Sequence, residues 1–196
     1  MDKIVTHDVV LEDGPLRLRP MTEDDWDFLL RWNSDPEVLF FSEGDSVERR
    51  TLEEIQGIYR GTSRKAWVFV AELERRPIGE CWLQQMNVAR IMRRHPGRRL
   101  FRIDLMIGEK DLWGRGYGTR MIRLLTDFGF QRCGADAVLG VGVADYNPRS
   151  RRAFEKNGYA VDETISLRPG GKGAVEVDMI LTRDEWERQR SRRRGA

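Results

Sequence analysis

The chain contains few of the residues that metal sites, disulfide frameworks and membrane spans require. It has two cysteines and two histidines, and none of them has a partner at metal-ligand spacing. No apolar run approaches the ~20 residues that cross a bilayer, and residues 1–14 lack the apolar core of a signal peptide. The formal net charge is only +2, so no global field favours nucleic acid. We therefore expect a cytoplasmic protein without a metal, a membrane or a nucleic acid as partner.

Length and composition indicate one globular domain over residues 1–196. A chain of this length buries roughly 70% of its unfolded surface, and its hydrophobic share is an ordinary 40%. Cys81 and Cys133 lie within apolar patterns, which favours buried thiols over a disulfide, a metal site or a nucleophile. Arginines crowd residues 90–99 and the basic tail at about 187–196. We expect a solvated loop and a disordered tail there, with an anionic partner as the alternative.

Residues 100–130 predict a strand, a glycine-rich turn and a helix. The first part alternates with the period of two that is typical of a strand, which places Phe101, Ile103, Leu105 and Ile107 on one face. Asp104 therefore points away from that apolar row. In the last part, apolar residues recur at the spacing of one helical face, at Met121, Ile122, Leu124, Leu125 and Phe128. This stretch is the unit around which we expect the fold to be organised.

The turn in this stretch has the composition of an anion-binding site. Three glycines alternate with other residues just before the helix, in the order Trp113, Gly114, Arg115, Gly116, Tyr117, Gly118 and Thr119. Glycines let the backbone turn tightly and bring several N–H groups close to a ligand, and the helix N-terminus and Arg115 add positive charge. The turn lacks both G-x-G-x-x-G and G-K-[ST], so the dinucleotide-fold and P-loop interpretations are excluded. A pyrophosphate remains the expected ligand.

These residues resemble the acyl-CoA loop of the GCN5-related N-acetyltransferases (GNAT), whose pattern is Gln/Arg-x-x-Gly-x-Gly/Ala. Gly116 and Gly118 match its glycines, whereas Trp113 stands where the family usually has Gln or Arg. The likeness extends to residues 104–109 and 147–159, and together the segments resemble the aminoglycoside 6'-N-acetyltransferase branch. The order of predicted elements, namely strand, two helices, three strands, helix, strand, helix and two strands, matches the family's layout.

The resemblance implies an α/β (α+β) fold and acetyl-CoA as co-substrate. We expect a mixed, mostly antiparallel sheet of about seven strands, flanked by about four helices, with a central βαβ unit. The loop residues 113–119 would bind the pyrophosphate. By the same resemblance, the pantetheine chain would contact the end of the central strand and the helix after residue 147, at Leu105, Met106, Ile107, Asn147 and Phe154. Asn147 is equally suited to be a plain helix cap.

The resemblance also assigns the catalytic role to Asp104, as the carboxylate that receives the amino group and accepts its proton. A structural ion pair with Arg102, two residues away on the same strand face, is the alternative interpretation. Many family members place a tyrosine near the leaving sulfur, but Phe154 occupies that position here. Tyr146, Tyr117 or water would then protonate the thiolate.

Acceptor recognition is expected from an aromatic pair and several carboxylates, namely Phe40, Phe41, Glu43, Asp45, Glu80, Asp104 and Asp145. A polycationic aminoglycoside acetylated at its 6'-amine fits such an acidic cleft, although each exposed carboxylate also fits a merely solvated surface. The alternatives are acetylation of a ribosomal-protein or peptide N-terminus, acetylation of a siderophore hydroxylamine, and a non-catalytic acyl-CoA-binding module. The expected assembly is a monomer or a homodimer.

Overall fold

The computed structural model describes residues 3–43, 49–167, 169 and 173–194, with side chains up to residue 192. Within these ranges the strands are β1 (Leu11–Asp13), β2 (Leu16–Pro20), β3 (Ala66–Leu73), β4 (Arg76–Gln85), β5 (Leu100–Ile107), β6 (Ala137–Ala144), β7 (Ala160–Ser166) and β8 (Val175–Thr182). The helices are α1 (Trp26–Trp32), α2 (Pro36–Glu43), α3 (Leu52–Ser63), α4 (Ala89–Arg94), α5 (Tyr117–Gln131), α6 (Pro148–Glu155) and α7 (Arg183–Arg194). The strands form one sheet in the order β1-β2-β3-β4-β5-β6-β8-β7.

The sheet is mixed and mostly antiparallel, as expected. β5 and β6 pair in parallel, with Leu100 opposite Ala137 and Ile103 opposite Gly140, and α5 connects them along the chain. This is the predicted βαβ unit. The pairs β1–β2, β2–β3, β6–β8 and β7–β8 are antiparallel. The fold class is therefore confirmed.

The chain divides into two compact units. Unit 1 comprises Met1–Trp82 and Leu105–Leu124, and unit 2 comprises Leu83–Asp104 and Leu125–Ala196. Unit 1 thus contains β1 to β3, α1 to α3 and the glycine loop. Unit 2 contains α4, α6, α7 and β6 to β8.

In unit 1, helices α1 and α3 pack their apolar faces on β3. Leu29, Ile55, Tyr59, Val68 and Val70 are part of this buried cluster. A capping box at Thr51 with Glu54 fixes the start of α3, and a second box at Thr22 with Asp25 fixes the 3-10 turn that leads into α1, as the sequence predicts. Each box satisfies backbone N–H groups that have no partner within a helix.

Several elements differ from the expected set. β1 is an additional strand that reaches β2 through a turn at Gly14, whose φ is 56°. α2 was not predicted; its start is stabilised by Asp35, whose carboxylate accepts from the Glu37 N–H at 2.9 Å. α4 lies where a loop was expected, and α7 continues to Arg194 where a disordered tail was expected from about residue 187. Among the described residues, no helix is long and apolar enough to cross a membrane.

In unit 2, α4 is attached to β7 and β8 by a network of ion pairs. Arg90 Nη2 donates to Asp178 Oδ1 at 3.0 Å, and Arg94 Nη2 donates to Asp162 Oδ2 at 2.7 Å. His95 Nε2 lies 3.0 Å from Asp162 Oδ1. The Asp178 side chain has no exposed surface. Arg90 and Arg94 therefore have structural partners within the unit. Neither of the two expectations for this segment, a solvated loop or an anionic partner, predicted these ion pairs.

Glu23 is expected to contribute a stability in unit 1 that depends on pH. Its carboxylate accepts from Arg60 Nη2 and from the Ile4 N–H, both at 2.6 Å. The hydrogen bond from Arg60 is the largest cause that lowers the pKa of Glu23 from 4.5 to about 2. Since the pKa is lower in the folded state, the stabilisation is complete above pH 4.5 and is lost as the pH falls toward 2.

Glu23→Gln should therefore lower the free energy of unfolding at pH 7 by about 1 kcal/mol, a figure reduced for solvent screening. It should also flatten the acid decline of stability. Urea unfolding at a series of pH values measures both effects. Glu53→Gln, in the exposed first turn of α3, is the control. If both variants show the same acid decline as the wild type, Glu23 does not carry this effect.

Candidate functional site

The glycine turn in unit 1 has the backbone conformation that an anion cradle requires. Gly114 and Gly116 have φ values of 75° and 87°, in the left-handed region that favours glycine. A Cβ atom at either position would meet nothing within 4 Å, so both glycines face open space. Gly118 begins the packing of α5, because a Cβ there would lie 3.6 Å from Leu105 Cδ1 and 3.7 Å from Ile107 Cδ1. The loop is thus built on the end of β5, as predicted.

Positive charge surrounds the start of α5. Arg115 is exposed between the two left-handed glycines. Arg120 and Arg123, on the first turns of α5, both donate to the Asp13 carboxylate at the end of β1. The ring of Tyr117 lies 5.9 Å from the Arg120 guanidinium carbon, and Thr119 is half-buried. The helix N-terminus and the exposed Arg115 favour a phosphate-bearing ligand, whereas the Asp13 carboxylate offsets part of the charge of Arg120 and Arg123.

The predicted apolar row of β5 becomes more exposed near the loop. The alternation places Leu105 and Ile107 with Phe101 and Ile103, but the structure buries Phe101, Ile103 and Met106. Leu105 and Ile107 are only half-buried, and they lie against Gly118. Leu105 and Ile107 thus point together toward α5, as the alternation predicts, and they are only half-buried because the helix begins at this end of the strand.

Residues 108–113, which we call the connector, join β5 to the glycine loop and contact α1 and α2. Glu109 accepts from Trp32 Nε1 at 2.9 Å and from Arg76 Nη2 at 2.7 Å, and it also pairs with Arg31. Lys110 Nζ lies 2.8 Å from Asp35 Oδ2 and 3.1 Å from Glu37 Oε2. The sequence does not predict these contacts, since nothing in the local pattern shows which distant helix the connector will meet.

Trp113 ends the connector, and its indole has two partners. Nε1 donates to the Ile107 carbonyl at 2.8 Å. The ring packs edge-to-face on Phe41 of α2, with centroids 5.5 Å apart, and Phe41 packs on Phe40 at 5.0 Å. Phe40 is 41% exposed and Phe41 is half-buried, since adjacent residues of a helix cannot both face the core. Trp113 therefore links the predicted cofactor loop to Phe40 and Phe41 of α2, the aromatic pair predicted to contact the acceptor.

The carboxylates predicted for the acceptor in unit 1 have different surroundings. Glu43 is exposed, and Arg50 Nη2 lies 2.9 Å from its Oε2. Glu80 is only 4% exposed, among the buried polar residues of β4. Burial raises the pKa of the Tyr59 phenol, and the nearby charge of Glu80 adds to this effect. Asp45 lies outside the described residues.

Asp104 and Arg102 form an ion pair in unit 2. Arg102 Nε donates to Asp104 Oδ2 at 2.8 Å, and Arg102 Nη2 donates to Oδ1. The Asp104 side chain is 23% exposed, so solvent reaches it. This is the pair that the sequence had suggested as an alternative to catalysis. Each carboxylate oxygen has more than one lone pair, so the pair does not by itself use all of its hydrogen-bonding capacity.

The other predicted site residues of unit 2 have structural partners. Asn147 caps α6, with its Oδ1 accepting from the Ser150 N–H at 3.2 Å. Asp145 Oδ2 accepts from the N–H groups of Ala174 and Val175 at 3.0 and 3.2 Å. Phe154 is 2% exposed and packs on Tyr159, with ring centroids 5.0 Å apart. Their contacts with cofactor or acceptor remain predictions.

The two cysteines are buried free thiols. Burial raises the pKa of Cys81 well above its usual value and raises that of Cys133 to about 11. A thiol with a raised pKa has little thiolate at neutral pH, so neither group is suited to be a nucleophile. Among the described residues, no group of three histidine, cysteine, aspartate or glutamate side chains could hold a metal ion.

A comparison of the chain with protein families identifies its family. The acetyltransferase (GNAT) domain matches residues 15–160, which is most of the chain. The chain belongs to the GNAT acetyltransferase family. It is therefore an N-acetyltransferase that uses acetyl-CoA as co-substrate.

Two curated GNAT relatives match the chain over nearly its whole length. The aminoglycoside N(6')-acetyltransferase type 1 of Klebsiella pneumoniae is 26% identical over 197 aligned residues, covering 93% of this chain and 90% of the relative. The enzyme of the same name from Serratia marcescens is 26% identical over 196 residues, with the same coverage.

Solved structures confirm the GNAT fold. A structure of AAC(6')-Ib in complex with ribostamycin and coenzyme A superposes with a TM-score of 0.73 at 23% identity, covering 90% of this chain and 98% of that one. A structure of spermidine N-acetyltransferase from Vibrio cholerae, in complex with CoA and spermine, has a TM-score of 0.70 at 17% identity. The alignment covers 89% of this chain and 99% of the spermidine N-acetyltransferase chain.

The residues of the loop fit acetyl-CoA. The open space over Gly114 and Gly116 lets a phosphate approach the backbone closely, and side chains at these two positions would fill that space. The exposed Arg115 supplies complementary charge. By contrast, the indole N–H of Trp113 donates to Ile107, so Trp113 acts on the loop through its contacts with β5 and α2.

Proposed function

We propose that the protein acetylates a primary amine of a small polycationic acceptor, and specifically the 6'-amine of an aminoglycoside. The observation that carries this proposal is the 26% identity to aminoglycoside N(6')-acetyltransferases, which extends over 93% of the chain. Acceptors of this kind carry several ammonium groups. The exposed carboxylate of Glu43 and the aromatic surface of Phe40 are suited to contact them.

The loop and the end of β5 hold the co-substrate in this proposal. Backbone N–H groups of residues 114–118 bind the pyrophosphate, with Arg115 as a cationic partner. The half-buried residues Leu105 and Ile107 flank the pantetheine chain, together with Met106 of the same strand. Asn147 and Phe154 contribute from α6. Acetyl-CoA supplies the acetyl group as a thioester, and a backbone N–H of β5 polarises its carbonyl, which is worth on the order of 3 kcal/mol.

Asp104 is the proton acceptor. An ammonium group has no lone pair, so it must lose a proton before it attacks a carbonyl carbon. An oxygen of the Asp104 carboxylate accepts that proton, and its partial exposure allows an amine to approach. Arg102 already donates to both oxygens, so the acceptor amine must share the carboxylate with Arg102 or displace one of its hydrogen bonds.

The leaving thiolate receives its proton from a group other than residue 154. Phe154 has no hydroxyl, and its ring is buried against Tyr159. Tyr117 at the start of α5, Tyr146 before α6, or water takes this role. Asp145 and Glu80 complete the set of carboxylates that we assign to the acceptor, although Asp145 also holds the start of β8.

A thiol-release assay with acetyl-CoA tests the proposed acceptor. The panel contains kanamycin, spermidine, a peptide with a free N-terminus, a hydroxylamine and buffer alone. We expect release that depends on kanamycin, with a mass increase of one acetyl group that fragmentation places on the 6'-amine. Release with only the peptide or only the hydroxylamine would support one of the alternative acceptors. If the protein binds CoA but no compound of the panel causes thiol release, the proposal is contradicted.

A further inference from the structure

The connector, residues 108–113, is fixed to α1 and α2 at three points. Glu109 binds Trp32 of α1, and Lys110 binds Glu37 of α2. Trp113 packs on Phe41, also in α2. The first connector residue is just as closely placed, because a Cβ atom on Gly108 would lie 2.1 Å from the Trp32 ring. The path of the connector thus follows the two helices closely from one end to the other.

The last of these contacts lies next to the cofactor loop. Trp113 directly precedes Gly114 and Gly116, whose left-handed conformations form the cradle. Its N–H fixes the Ile107 carbonyl at the end of β5, and its ring contacts Phe41. A displacement of α2 would therefore move the indole and, with it, the residue that begins the glycine loop.

We propose that Trp113 is a positioning residue that couples the two substrates, through its contacts with Phe41 and Ile107. This inference rests on the proposed function, since it takes α2 as part of the acceptor site. Acetyl-CoA orders the glycine loop, Trp113 holds Phe41, and the aromatic surface of α2 is ready for the acceptor. By linkage, the acceptor increases the affinity for CoA by the same factor.

The first test does not depend on the identity of the acceptor. Hydrogen exchange of the backbone amides of residues 39–42 is measured with and without CoA. We expect CoA to slow exchange in this part of α2 in the wild-type protein. The protection should be lost in Trp113→Phe, which keeps an aromatic ring but removes the N–H donor, and in Phe41→Leu, which removes the edge-to-face contact. If CoA gives no protection in the wild type, the inference is overturned.

The second test measures the coupling itself. Calorimetry gives the dissociation constant of kanamycin with and without CoA. We expect CoA to tighten kanamycin binding about fivefold or more in the wild type, a typical coupling between sites. In Trp113→Phe and in Phe41→Leu the ratio should fall toward one, and the double variant should lose little more than either single variant, because both act through one contact. The KM for kanamycin should rise while kcat changes less than about twofold.

Trp186→Phe is the matched control. It also removes an indole N–H from a hydrogen bond, to Asp127 Oδ1 at 2.7 Å, but in unit 2. It should leave the protection of α2 and the coupling ratio unchanged. A wild-type ratio that persists in Trp113→Phe would overturn the inference. Failure of the wild type to acetylate kanamycin would contradict the proposed acceptor alone, and the exchange measurement would still decide the role of Trp113.

Discussion

Asp104→Asn is expected to lower kcat/KM for kanamycin by about 10²- to 10⁴-fold, the usual contribution of a positioned proton acceptor. Asparagine has nearly the same size as aspartate but cannot accept the proton of the ammonium group. The loop that we propose to bind the pyrophosphate of CoA does not include Asp104, so the dissociation constant of CoA should change less than about threefold. Steady-state kinetics and calorimetry on the same preparation measure the two effects.

Two further variants make this result specific. Glu155→Gln removes an exposed carboxylate from an ion pair with Arg151 on the surface of α6, and it should leave kcat/KM unchanged. Arg102→Gln removes the cation that competes with the acceptor for Asp104, so it should change KM for kanamycin while measurable turnover remains. If Asp104→Asn keeps the kcat/KM of the wild type, the pair with Arg102 is structural and another group accepts the proton.

Gly79→Ala is expected to destabilise the protein strongly. A Cβ atom on Gly79 of β4 would lie 2.2 Å from the Met106 carbonyl oxygen and 2.9 Å from Ile107 Cα. Both atoms belong to the backbone of β5, so no side-chain rotation relieves the overlap. We expect a loss of about 3 kcal/mol in the free energy of unfolding, at the upper end for an overpacked site. This corresponds to a fall in Tm of about 6–12 °C for a chain of this size.

The same substitution should also weaken CoA binding, because the displaced backbone belongs to residues 105–107. Gly57→Ala is the matched control. Gly57 lies in α3, where a Cβ atom meets nothing within 4 Å, so alanine should raise stability by about 0.5–1 kcal/mol. Thermal unfolding with and without CoA measures both properties. If Gly79→Ala has the same Tm as the wild type, then β4 and β5 can separate at this point at little cost in free energy.

The sequence predicts most of the sheet because strand patterns are local. Apolar patterns predict strands at residues 66–73, 77–85 and 174–182, and β3, β4 and β8 match these ranges to within one residue. Helix caps are local as well. Three or four consecutive residues are enough to predict the capping boxes of Thr22 and Thr51 and the cap of Asn147. Such features depend on backbone geometry and neighbouring side chains, so the sequence alone identifies them.

Elements that depend on distant partners were missed. α4 is short and basic, and it is attached by carboxylates that lie 68 to 88 residues further along the chain. No local pattern reveals those partners. α2 was missed for another reason, since the composition of residues 33–36 is typical of a helix end. Asp35 and Pro36 also begin the next one, because the Asp35 carboxylate caps its first N–H groups.

The candidate site was predicted in the same uneven way. The glycine loop and its place after β5 follow from consecutive residues. The pair of Asp104 with Arg102 was foreseen as an alternative, because alternate residues of a strand share a face. The contacts of Glu109, Lys110 and Trp113 with α1 and α2 could not be foreseen, since they join segments about 70 residues apart.

The attachment of α4 by Asp178 has a consequence for ionic strength. Dissolved ions screen exposed charges over about 8 Å at physiological salt, but they screen a buried carboxylate much less. Asp178 has no exposed surface, whereas Glu43 at the end of α2 is exposed. Added salt should therefore weaken the capture of a cationic acceptor well before it loosens α4. Salt titration of KM and of thermal stability would show the two effects separately.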